Sequence, residues 1–108
     1  KNTIVTNGAI MNGGGNILIG SDCIFGPYNI INANDHKIGS NDFIRDKEFV
    51  YGDIEIGNNV WTGAFISITK NVKIENNSII GAHSLVTKNT KENSINYGVP
   101  AKFIKFRE

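Results

Sequence analysis

The chain has 108 residues, enough for one domain with a modest core. It carries 11 Lys and Arg against 10 Asp and Glu, a formal net charge of +1. The basic residues are scattered, which excludes the basic stripe of a nucleic-acid binder. One cysteine excludes an internal disulfide, and no apolar run is long enough for a membrane helix or signal peptide. No membrane contact is therefore expected, and a cytoplasmic protein is the default reading.

The stretch from 1 to 16 is irregular. Gly13-Gly14-Gly15 interrupts any strand there, so it reads as an imperfect opening coil or two. The chain begins with Lys1 rather than Met, which suggests a fragment whose preceding segment would carry substrate contacts.

From Ile17 to Asn34 the chain divides into hexads: ILIGSD, CIFGPY, NIINAN. Aliphatic or aromatic residues recur two apart within each hexad, a strand period rather than the 3.6-residue period of a helix. Cys23 takes a first hexad position and reads as a small core residue.

The hexads stop at Asp35-His36. The stretch from about 37 to 53 fits no repeat and holds Phe43, Arg45, Asp46, Lys47, Glu48, Phe49 and Tyr51. Solenoids admit insertions at corners, where they project as loops. A loop of this length in a compact chain is more often functional than idle.

From Ile54 six hexads follow without a break: IEIGNN, VWTGAF, ISITKN, VKIENN, SIIGAH, SLVTKN. Residues 60–71 return as 78–89, with Gly63/Gly81, Ala64/Ala82, Thr69/Thr87, Lys70/Lys88 and Asn71/Asn89 identical. Eighteen is three hexads, so three short strands complete one turn of a triangular solenoid and residues 18 apart stack on one face. First and third positions should point inward, Ile56, Ile68, Ile74, Ile80 and Val86 among them. Asparagine at the corners is explained by its tolerance of the left-handed backbone region, and no chemistry is assigned to Asn58, Asn59, Asn76 or Asn77. Beyond Asn89 the repeat ends, and a tail from about 90 closes with a short helix or strand after Gly98 and Pro100.

His36 stands at the only large break, after polar residues able to orient an imidazole. The alternative is an exposed corner histidine. Imidazole is the usual general base near neutral pH, and His36 is taken as the catalytic candidate. Trp61 points outward and needs cover, from a neighbouring subunit or in an acceptor pocket. His83, also outward, reads as surface or interface.

The hexads, the loop behind His36 and the block Ile56-Gly57-Asn58-Asn59-Val60-Trp61-Thr62-Gly63-Ala64 resemble the hexapeptide-repeat acetyltransferases, especially the maltose/galactoside-type sugar O-acetyltransferases. The resemblance covers the chain from about Ile17 onward. It implies an all-β, single-stranded left-handed parallel β-helix over 1–108, and a homotrimer with active sites between subunits. It implies acetyl transfer from acetyl-CoA to a carbohydrate hydroxyl, with no metal.

By the same resemblance, His36 is the general base and the Ala64 N–H faces the thioester. Ala82 meets the pantetheine, Thr87 and Lys88 lie near the CoA diphosphate, and Lys102 and Lys105 meet the nucleotide phosphates. Lysine in place of the family's frequent arginine keeps the charge without the bidentate geometry. Asn34, Asp35 and Trp61 fall on the acceptor side. Alternative acceptors are an amino-sugar amine, serine or a streptogramin-type antibiotic. A passive scaffold gives the loop no purpose, and a zinc hydratase on this fold needs three histidines where the chain has 2.

Overall fold

The computed structural model describes residues 1–39, 41, 43–46 and 48–108. Lys47, expected in the loop, lies outside the described residues.

An opening coil holds β1 (Ile4–Val5) and β2 (Ile10–Asn12), and β3 (Ile17–Ile19) follows. The next coil begins with β4 (Ile24–Phe25) and β5 (Ile30–Asn32). An arm then leaves the solenoid as β6 (Asn34–His36) and returns as β7 (Phe49–Tyr51), with a short 3-10 turn at Ile44–Asp46 between them. The repeat resumes with β8 (Ile54–Ile56), β9 (Trp61–Thr62) and β10 (Ser67–Ile68). β11 (Lys73–Ile74), β12 (Ile79–Ile80) and β13 (Leu85–Val86) make the last full coil. β14 (Ser94–Gly98) then begins a final one, and β15 (Ala101–Phe106) turns back antiparallel along it. The tail is therefore a strand, and it pairs with the edge that β14 would otherwise leave open.

Every stacking contact within the solenoid proper is parallel, as a coil wound in one direction requires. The strands form three faces. The first has the order β1-β4-β9-β12-β14-β15, the second β13-β10-β5-β2 and the third β11-β8-β3. Three edges join them, and the corner residues there carry the positive φ angles: Asp22, Tyr28, Asn59, Phe65, Asn71, Asn77 and His83, all at sixth hexad positions. Three of these seven corners are the asparagines that tolerate such backbone best.

The inward stack is as the hexads predict. Ile54, Val60, Ile66 and Val72 at first positions and Ile56, Ile68, Ile74, Ile80 and Val86 at third positions are all buried, with Cys23, Phe25 and Ile31 continuing the core below. Their burial supplies the main stabilisation, on the order of 1.5–3 kcal/mol for each large aliphatic side chain. At the N-terminal end the stack is uncovered, and Val5 and Met11, which sit over Phe25 and Ile31, are exposed.

Two insertions break the period. Ile4 pairs with Ile24, an offset of 20, so the glycine run adds two residues to the opening coil. Gly14 has φ +141°, and the Tyr51 ring lies where its side chain would stand, so the run also makes room for the arm. Across the arm Ile24 pairs with Trp61, an offset of 37, whereas Trp61 pairs with Ile79 at 18. The difference is 19 residues, so the insertion starts at Asp35, two residues before the expected 37. It does so because Asn34, Asp35 and His36 already pair with Tyr51, Val50 and Phe49 in an antiparallel hairpin. Among the described residues no helix is long and apolar enough to cross a membrane.

Candidate active site

The edge between the first and second faces is built differently from its neighbour. At several corners a residue in the fourth hexad position turns its carbonyl inward, and a buried or half-buried side chain donates to it. Thr3 Oγ1 donates to Gly20 C=O at 2.9 Å, Cys23 Sγ to Gly57 C=O at 3.1 Å, Ser84 Oγ to Gly81 C=O at 2.6 Å and Asn29 Nδ2 to Gly63 C=O at 2.9 Å. In a trans peptide the N–H points opposite to the C=O, so the fifth residue of each hexad aims its N–H outward.

On the edge between the third and first faces two of these outward donors are used. Ser21 N–H donates to Asn58 Oδ1 at 2.8 Å, and Asn58 N–H to Asn76 Oδ1 at 2.7 Å. On the edge between the first and second faces the fifth positions are Pro27, Ala64 and Ala82. Proline has no N–H. Alanine has no side-chain acceptor to offer the coil below. Among the described residues the N–H groups of Ala64 and Ala82 have no acceptor, and they sit one coil apart in one column. Two stacked, outward-aimed amide donors are suited to receive carbonyl oxygens of an extended ligand or the charge of an oxyanion.

Beside that column runs a ladder of rings. Tyr28 and Phe65 stack at 5.1 Å between centroids, and Phe65 and His83 stack at the same 5.1 Å. Ile24 and Trp61 flank it on the first face and Ile30 on the second, all exposed. Trp61 is 54% exposed, so this chain alone does not cover it.

His36 lies on a different edge, between the second and third faces, at the root of the arm. Its ring is exposed and packs on Phe49, with centroids 4.7 Å apart. Asp35 does not orient the imidazole. Its Oδ1 accepts the His36 backbone N–H at 2.8 Å, and its Oδ2 pairs with Lys70 Nζ at 3.7 Å. Asn34 Nδ2 donates to Gly13 C=O at 2.9 Å and so ties the arm to the opening coil.

Thr87 and Lys88, exposed, lie on the same edge as His36, one coil above Thr69 and Lys70. Lys102 and Lys105 are exposed on β15, opposite Tyr97 and Ile95. Within one chain, then, Ala64 and Ala82 share one edge, while His36, Asp35, Thr87 and Lys88 share another. One face of six residues, at most about 20 Å of chain, separates them.

The sequence reading missed Tyr28, Asn29 and Phe65. Phe65 and His83 are 18 apart and were legible as a stacked pair. Tyr28 and Asn29 connect to the upper coils only through the 37-residue offset.

The family model of the bacterial transferase hexapeptide (six repeats) matches residues 53–88. No curated protein matches the sequence. Among solved structures, the chain is similar to a hexapeptide-repeat containing acetyltransferase from Vibrio cholerae O1 biovar eltor, complexed with acetyl coenzyme A. The TM-score is 0.89 and the identity 26%, over 98% of this chain and 57% of that one. A maltose O-acetyltransferase from Clostridium difficile 630 matches with TM-score 0.81 and 29% identity, over 99% and 60% of the two chains. The polySia specific acetyltransferase NeuO matches with TM-score 0.86 and 34% identity, over 98% and 46%. The chain thus spans about half to three-fifths of the length of these proteins.

The chain folds as a left-handed β-helix, and residues 53–88 carry the hexapeptide repeat of that family model. Within that class its fold is that of the hexapeptide-repeat acetyltransferases, sugar O-acetyltransferases among them, as the hexads and the Trp61 block led one to expect.

Proposed function

We propose that this chain forms the β-helix of an acetyl-CoA-dependent O-acetyltransferase acting on a hydroxyl of a sugar or polysaccharide precursor. The observation that carries the reading is the column of two outward, unaccepted amides at Ala64 and Ala82, on a fold shared with acetyltransferases, together with an exposed imidazole at the root of the arm. The likeness to a maltose O-acetyltransferase and to a polySia specific acetyltransferase supports a carbohydrate acceptor. A cytoplasmic setting, where acetyl-CoA is available, fits this activity.

His36 and Ala64 are on different edges, so the site requires two chains. A homotrimer supplies it: the His36 edge of one protomer meets the Ala64 edge of the next, a head-to-tail contact that closes after three copies. The same contact would cover Ile24, Ile30, Trp61 and the ring ladder, an exposed apolar strip that marks an interface. Asn34, Asp35 and Trp61 then border the acceptor pocket. Thr87, Lys88, Lys102 and Lys105 offer hydroxyl and ammonium groups to the CoA diphosphate and nucleotide phosphates.

In the reaction, His36 removes the proton from the acceptor hydroxyl as its oxygen attacks the thioester carbonyl. The Ala64 N–H holds the oxyanion of the tetrahedral intermediate. The C–S bond then breaks, and the thiolate of CoA takes the proton back from the imidazolium. Holding both substrates together supplies much of the rate.

The test is transfer from acetyl-CoA to a panel of sugars by wild type and His36→Ala. A positioned general base contributes about 10²- to 10⁴-fold, so the variant should lose turnover on that scale while still binding CoA. Wild-type turnover by His36→Ala would refute the base, and absence of CoA binding by the intact protein would refute the activity.

A further inference from the structure

We propose that Asn29 is a positioning residue that aims the Ala64 N–H at the reacting carbonyl. The inference rests on the reading of Ala64 as the oxyanion donor and adds a residue to that site.

Asn29 is 1% exposed at a first hexad position, where the coils above carry isoleucine, valine or serine. A buried amide needs partners, and Asn29 has three. Nδ2 donates to Gly63 C=O at 2.9 Å and to Pro27 C=O at 3.3 Å, and Oδ1 accepts from Thr62 Oγ1. Thr62 is itself fully buried at a third position, where every other hexad of the upper coils places isoleucine or valine. The two polar residues are thus a hydrogen-bonded pair within the core, directly behind one peptide.

That peptide is Gly63–Ala64. Its carbonyl is held from inside by Asn29, so the peptide plane cannot rotate without breaking a buried hydrogen bond. Its N–H is the free donor on the outer surface. The amide hydrogen bond also polarises the peptide, which strengthens its N–H as a donor on the far side. Gly26 packs against the same peptide from the coil below, at a distance that leaves no room for a side chain. Ala82 is the second free donor, and its carbonyl partner is held by the shorter Ser84 hydroxyl. The two amides of the column are therefore pinned by different devices, and the stiffer, three-bonded one lies behind the amide assigned to the chemistry.

The test uses the full chain and separates orientation from stability. The double variant Asn29→Val/Thr62→Val removes both partners together and leaves no orphaned side chain between them, so the fold should survive. Its kcat should fall about 10- to 100-fold, the loss expected when an oxyanion donor is misaimed but not deleted. Its KM for acetyl-CoA should stay within about twofold of wild type, since a donor used only in the transition state affects kcat rather than binding. Asn29→Ser keeps a donor near the depth from which Cys23 reaches the equivalent carbonyl, and should recover part of kcat.

The Ala64 amide resonance, read in the same proteins by ¹H–¹⁵N spectroscopy without acceptor, should move in the double variant and return toward its wild-type position in Asn29→Ser. An unmoved Ala64 resonance, or wild-type kcat in the double variant, overturns the role of Asn29. Ala64→Pro identifies the level of failure. If it is inactive while the double variant is fully active, the oxyanion assignment stands and Asn29 falls alone. If Ala64→Pro is as active as wild type, the oxyanion reading falls and the proposal with it.

Discussion

Gly26→Ala should damage turnover out of proportion to its effect on stability. A Cβ at Gly26 would lie 2.6 Å from both the carbon and the oxygen of Gly63, and 3.0 Å from the Ala64 nitrogen. Ordinary contact begins at 3.4 Å, so the strand or the Gly63–Ala64 peptide must move by about 0.8 Å. The obstacle is backbone on both sides, which cannot swing away as a side chain can. Overpacking of this kind costs about 1–3 kcal/mol, which at roughly 4–8 °C per kcal/mol is a clear fall in Tm. A displacement near 1 Å in a catalytic group costs on the order of 10²-fold in rate.

Gly20→Ala is the matched control. It occupies the same hexad position on the neighbouring edge, where the amide it packs against, Asn58 N–H, is already bonded to Asn76 Oδ1, and its Cβ would meet Gly57 oxygen at 2.6 Å and Gly57 carbon at 2.7 Å, with Asn58 Oδ1 also in the way. The assay pairs thermal denaturation with acetyl transfer to the best sugar acceptor. Both variants should lose similar stability, and only Gly26→Ala should lose most of its kcat. Equal kcat losses in the two, or wild-type kcat in Gly26→Ala, would refute the argument that the Gly63–Ala64 peptide is the sensitive element.

The remaining predictions probe the site, the core and the assembly. Ala64→Pro deletes the N–H and should cost about 10²- to 10³-fold in kcat, whereas Ala64→Gly keeps it and should stay close to wild type; similar rates in two folded variants would remove the oxyanion role. Ile74→Ala, at a fully buried inward position, should destabilise by about 2–5 kcal/mol in denaturant titration, and a loss below about 1 kcal/mol would mean the stack collapses to fill the space. Sedimentation should report a trimer at micromolar concentration, with Trp61→Glu shifting it toward monomer; a stable wild-type monomer would leave His36 and Ala64 unable to share a site.

The solenoid core and its stacking rule were legible in the sequence because both are local. A hexad places its first and third side chains inward whatever surrounds it, and an unbroken period of 18 fixes which residues lie above one another. Ile56, Ile68, Ile74, Ile80 and Val86 are buried for that reason, and Asn59, Asn71 and Asn77 take the left-handed corners. His36 was conspicuous because it interrupts a period, and the Ala64/Ala82 column because it repeats one.

Tertiary structure decided what depends on the length of the interruption. The 19-residue insertion sets the offset between lower and upper coils at 37, and only that offset puts Asn29 behind Gly63 and Tyr28 under Phe65. In the sequence Asn29 is one asparagine among many, with nothing to separate a buried amide from a corner one. Closure of the coil into three edges set Ala64 and His36 apart, since the edge on which a residue falls is a property of the whole turn. It also gave Asp35 to Lys70 rather than to the imidazole, because Lys70 stands one coil above the root of the arm.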